Sequence, residues 1–138
     1  MISVLSTTNK YILQPSLLDM HHQSVEWLSA TVFWKKEVAF FQKLLSNKAS
    51  YFTALEDKQK IDHFQSLILY YNAEVIDQLA RKLRKHESHL AEMLQSLNES
   101  DTQYFQEHKS LMDELSSFGK SFITLKHELY EFLERAIR

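Results

Sequence analysis

The sequence predicts an all-α fold, an elongated antiparallel three-helix bundle with coiled-coil-like packing, and three observations lead there. Its 138 residues include one glycine and one proline, where average usage would supply roughly ten and seven, so the turns that sheets require are almost absent. Helix-start chemistry recurs at three places along the chain. Between those places apolar residues return at alternating intervals of three and four over stretches too long for strands. With 44% apolar and 12% aromatic residues, one domain of this length buries a sizeable core without disulfides or metals.

Residues 1–14 read as an irregular arm whose Tyr11, Ile12 and Leu13 dock on the bundle end, and residues 15–138 as a single helical-bundle domain. Pro15-Ser16 followed by Asp19 offers an N-cap hydroxyl and an acid in the first turn, starting a helix over about 16–47. Its apolar arc is wide, from Phe33, Phe40 and Leu44 round to Trp27, Trp34, Val38, Phe41 and Leu45, as suits a helix packed on two partners. Thr53-Ala54-Leu55-Glu56 has capping-box spacing and opens a second helix over about 54–97. Its stripe runs Ile61, Phe64, Ile68, Tyr71, Val75, Leu79, Leu83, His86, Leu90, Met93 and Leu97. Ser100-Asp101-Thr102-Gln103 has the same capping spacing and opens a third helix over about 101–137. There the stripe includes Tyr104, His108, Leu111, Leu115, Phe118, Phe122, Leu129, Leu133 and Ile137. At 1.5 Å per residue the three helices are roughly 48, 66 and 55 Å long, and short connections make neighbours antiparallel. Gly119 falls inside the third helix, where glycine is unfavourable; close packing against an aromatic such as a tryptophan of the first helix explains it, or else a kink.

Sixteen basic and eighteen acidic residues leave a net charge of −2, so no global field draws nucleic acid or an anionic membrane to the chain. The absence of cysteine excludes a disulfide framework, thiol catalysis and thiolate metal sites, and fits a reducing, cytoplasmic setting. The first sixteen residues have neither the basic start nor the apolar run of a signal peptide, and no window reaches about 18 uncharged apolar residues. The basic run Arg81-Lys82-Leu83-Arg84-Lys85 spreads around its helix and is flanked by Glu74, Asp77, Glu87 and Glu92, the pattern of a solvated face.

The segments Glu26-Trp27-Leu28, Phe33-Trp34-Lys35-Lys36-Glu37 and His63-Phe64-Gln65 together resemble an uncharacterised family of bacterial long-helix bundle proteins. The similarity covers most of the first helix and the first turns of the second. It implies the fold and brings no activity or cofactor with it.

Polar residues on apolar stripes must find one another, because burying them unpaired costs several kcal/mol. Projected at 100° per residue, Glu37, Asn72 and Lys126 fall on the apolar sides of their helices, and folding the helices about their loops brings them to one height. They are expected to form a buried polar layer that fixes register; a ligand- or proton-handling site is the alternative reading. Toward the other end, the same arithmetic gathers His22, Glu26, His86 and His89, with His108 about two turns away. Spacings of i,i+4 and i,i+3 let two side chains share a metal, and helical bundles host carboxylate–histidine sites. The His-x3-His and paired Glu-x2-His motifs of such sites are absent, and the competing reading is core and rim histidines satisfied by Glu26, Gln23 or each other. His63 and His127 fall off the stripes and read as solvated.

Phe33, Phe40 and Leu44 at the edge of the first helix, with Tyr70 on the outer side of the second, are either core edge or a patch for a partner. No nucleophile–base pair or glycine-rich phosphate loop is present, so catalysis is not expected and no cofactor is implied. The leading functional expectation is a non-catalytic bundle acting through protein–protein interaction or self-association, with an unidentified protein or its own copy as partner. A metal- or small-molecule-binding bundle using the histidine and carboxylate cluster is the alternative.

Overall fold

The computed structural model describes residues 13–96 and 103–137, with side chains from 17–95 and 103–137. Every element in it is helical. Helix α1 spans Leu13–Lys48; a 3-10 turn at Ala49–Tyr51 leads into α2, Leu55–Tyr70; a π-turn at Tyr71–Val75 joins α2 to α3, Ile76–Ser96; and α4 spans Gln103–Ile137. The α2–π–α3 segment is one unbroken rod, so three rods make the bundle, with α1 and α4 both antiparallel to the middle one. No described helix is long and apolar enough to cross a membrane.

Two of the expected helix starts differ. α1 begins at Leu13, earlier than Ser16, which puts Ser16 within the helix rather than at its cap and makes Leu13 and Gln14 helical rather than part of an arm. Pro15 is accommodated because a first-turn residue has no intrahelical use for its N–H. The second rod begins at Leu55 with Ala54 as its N-cap in extended geometry (φ −68°, ψ 144°) and no side-chain cap. Thr53 and Glu56 therefore form no capping box; Glu56 and Asp57 instead complement the positive helix end from the first turn. The Ser100 box and the arm over 1–12 lie outside the described residues.

The core divides in two. The larger cluster, built on Val38, Phe41 and Leu45 of α1, Phe64, Ile68 and Leu83 of the middle rod, and Phe118, Phe122 and Leu129 of α4, fills most of the bundle. A smaller one joins Leu17, Met20, Leu90, Met93 and Tyr104 at the other end. Between them lie buried His86 and His108. At the α1–α2 connection the chain is fastened by aromatics: Phe52 stacks on Phe132, centroids 4.3 Å apart, and Arg135 lies over both rings while its guanidinium forms two hydrogen bonds to Asp57 at 2.9 and 2.8 Å. That pairing holds the Asp57 carboxyl below its usual range. At mid-height Trp34 and Tyr71 both meet the stacked pair Phe118 and Phe122 edge-on, Trp34 lying 4.9 Å from Phe118.

The expected stripe of the middle rod is buried at every described position except Tyr71 and Val75, at the π-turn. Ile76 is fully buried, whereas Val75 is half-buried. The π-turn is the cause: the Ile76 N–H reaches back to the Tyr71 carbonyl, one residue further than an α-helix allows, so one extra residue is taken up before the apolar face resumes. Buried positions 61 and 68 are followed by 76, 83 and 90, a seven-residue repeat broken by a single interval of eight.

Gly119 is neither a close-packing site nor a break. A Cβ built there meets nothing within 4 Å, and α4 runs through it unbroken.

Candidate functional site

Three places hold the residues singled out from the sequence. At the first, the π-turn frees a carbonyl. In an α-helix Asn72 C=O would accept from Ile76 N–H, but that donor goes to Tyr71, and Lys35 Nζ of α1 takes its place at 2.9 Å while bridging Asp77 at 2.9 Å. Beside it Lys126 Nζ of α4 lies 3.2 Å from Glu37 Oε2, both side chains half-buried, with the ammonium also over the Phe122 ring at 4.8 Å. Glu37 and Lys126 thus meet as expected. The expected triad is corrected in its third member: Asn72 contributes through its main chain to Lys35, because the π-turn releases that carbonyl.

The second place is the histidine layer. His86 and His108 are 1% and 5% exposed. His86 Nδ1 bonds Glu107 Oε1, His86 Nε2 lies 2.9 Å from His108 Nδ1, and His108 Nε2 lies 2.7 Å from Gln23 Oε1. Trp27 stacks on His108 with centroids 4.6 Å apart. The Glu107 carboxylate only accepts, so His86 donates to it from Nδ1, and the chain of hydrogen bonds continues through His86 Nε2 and the His108 ring to the Gln23 amide. Burial, then the neighbouring His86 charge, push His108 down from 6.5 to about 4, which keeps it neutral.

His89 Nδ1 stands 3.8 Å from the same Glu107 oxygen, so His86 and His89 do share a neighbourhood. His22 and Glu26 do not join it. Both are exposed on α1, while the α1 residues that reach the layer are Gln23 and Trp27, one position further round the helix. Among the described residues no three His, Cys, Asp or Glu side chains converge as a metal-ligand set. Every ring nitrogen of His86 and His108 is already engaged. Glu107 was not singled out from the sequence: it lies beside the α4 stripe, and its one signal is that it precedes His108.

The third place is the outer side of α1. Phe33 and Phe40 are 60% and 57% exposed, and Val25 and Val32 with them are 44% and 57% exposed. Leu44 separates from this set, half-buried against the larger core. Tyr70 is also exposed, but it borders a groove of about 460 Å³ between α3 and α4 with Lys82, Glu114 and Phe118, so it is not part of the α1 face. His63 and His127 are exposed, and Lys82 of the basic run pairs with Glu114 at 2.9 Å.

The class of protein that these features define is an all-helical bundle with a polar-layered core and one helix that is apolar on both sides. Comparison of the chain with family models, with curated proteins and with solved structures finds no match.

Proposed function

We propose that this chain is a non-catalytic helical-bundle protein of the cytoplasm that acts by docking the outer face of α1 on another protein or on its own copy. The cysteine-free sequence supports the compartment. One observation carries the docking role: α1 buries Val38, Phe41 and Leu45 on one side while leaving Phe33 and Phe40 more than half exposed on the other. Exposed apolar side chains gathered on one helix face mark an interaction site, and aromatic residues are enriched where proteins meet. The polar layers support a structural role for Glu37, Lys126, His86 and His108, since each of these is paired within the bundle.

Phe33→Glu/Phe40→Glu tests this. The variant is expected to keep its circular dichroism and melting temperature and to lose the protein that co-purifies with tagged wild-type chain from its native cells. Unfolding would make the two rings core residues, and unchanged association would place docking elsewhere; either overturns the reading.

A further inference from the structure

The exposed charges of α1 are ordered along the helix. Asp19 and Glu26 lie in its first half and Lys36 and Lys43 in its second; all four are exposed, and none forms an ion pair with another described residue. Their spacing is symmetric. Asp19 and Lys43 each stand twelve residues from Thr31, and Glu26 and Lys36 each five. A two-fold axis at the level of Thr31 that turns a second α1 antiparallel to the first therefore sets Asp19 against Lys43 and Glu26 against Lys36, twice over.

The positions between them fit the same axis. Phe33 falls opposite the small Ser29, and Phe40 opposite the His22 ring. These eight residues fall at alternating intervals of three and four, so they occupy one face of the helix, and each is exposed. The polar half of the strip meets the aromatic and basic half of its copy. A parallel pairing would instead oppose acid to acid and base to base, which is unfavourable. Along one side Val25 and Val32, both exposed, extend the apolar contact, and the two-fold places the same shoulder of the partner beside them.

We infer that the occupant of the α1 outer face is a second copy of this chain, bound antiparallel about a two-fold near Thr31. This rests on the reading of that face as a docking surface and adds the partner, the orientation and the register. The strip is about 36 Å long and a bare helix about 10 Å wide, a footprint of roughly 360 Å² per copy. That is under half of the ~800 Å² per partner of a standard interface, so the pair is weak and reversible, with a dissociation constant on the order of 10–100 μM.

Sedimentation of the purified 16.4 kDa chain tests the pairing between about 5 and 500 μM, a range chosen to bracket that constant. Wild type is expected to pass from monomer to dimer, more weakly as salt is raised. Lys36→Glu/Lys43→Glu makes the strip wholly acidic and Asp19→Lys/Glu26→Lys makes it wholly basic. Each alone is expected to stay monomeric, and an equimolar mixture is expected to form a heterodimer at least about tenfold tighter than wild type, every pair now being attractive. Because all four positions are exposed, retained helicity in both variants is the folding control. Wild type that remains monomeric at the highest concentration, or variants that self-associate as readily as wild type, overturns the self-pairing. The docking reading itself falls if Phe33→Glu/Phe40→Glu unfolds or leaves the captured partner unchanged, so the two failures are distinguishable.

Discussion

His108 and Lys126 stand eighteen residues apart on α4, about 27 Å, and each anchors a polar layer that interrupts an apolar core. The Glu37–Lys126 pair keeps both charges, with side chains 18% and 23% exposed, so water still shares in their solvation and the pair serves mainly to fix which faces meet. The histidine layer is all but dry, at 1% and 5% exposure. There burial holds the His108 ring neutral, and the carboxylate of the network, Glu107, stands at its edge with its side chain 40% exposed. The difference teaches how depth selects chemistry. A half-buried layer can afford two opposite charges, whereas a fully buried one is built from groups that both donate and accept, with the charge moved to its rim.

The largest expected effect comes from acid on the dry layer. His108 binds its proton at about 4 when folded and near 6.5 when unfolded, so between those values the unfolded chain holds more protons and stability rises with pH. Going from pH 7 down to pH 4 should remove about 3 kcal/mol from this residue alone. His108→Gln keeps one donor and one acceptor but does not titrate; urea melts at the two pH values should lose that difference in the variant. If the slope is the same in both proteins, the layer is not held neutral by burial.

A smaller effect is expected at the wetter layer. Lys126→Met strands the Glu37 carboxylate and should cost about 1–2 kcal/mol, while Glu37→Met/Lys126→Met together should fall within about 1 kcal/mol of wild type, because the pair roughly cancels its own desolvation. A double variant as unstable as the single one would mean that the pair contributes stability beyond register. The smallest effect concerns the stretch of α4 between the layers. Gly119→Ala meets open space and should raise the denaturation midpoint by the equivalent of up to about 1 kcal/mol; a loss would show that the backbone there is not regular helix.

The three rods, their antiparallel order and the Glu37–Lys126 contact were legible in the sequence, because periodicity and connection length determine which faces meet and at what height. His86 and His108 were legible as stripe members. Their partner Glu107 was not, since a residue beside the stripe is indistinguishable by period from a solvated acid. Lys35 was missed and Asn72 misassigned for one shared reason: both depend on a carbonyl released by the π-turn. The sequence does carry a trace of that turn in the interval pattern Tyr71, Val75, Leu79, Leu83, a run of fours where threes and fours otherwise alternate. Projection at a constant 100° per residue smooths such a run away. The Thr53 box failed because its pattern is local and short, while the start of the rod is decided by the aromatic anchoring of Phe52 one residue earlier.

The π-turn also governs residues it never touches. Drawing the same residues into an unbroken α-helix would move all of α3 about 1.5 Å along the rod and rotate it by about 100° relative to α2. His86 would swing out of its layer and Lys85 toward it, while Ile61 and Phe64 stayed in place. The far end of the bundle is thus keyed to the near end by a one-residue spacer, in the way a vernier offsets two scales. Deleting one residue of the turn would let the seven-residue repeat run on and keep α3 in phase, whereas a deletion inside α3 would displace every buried residue beyond it.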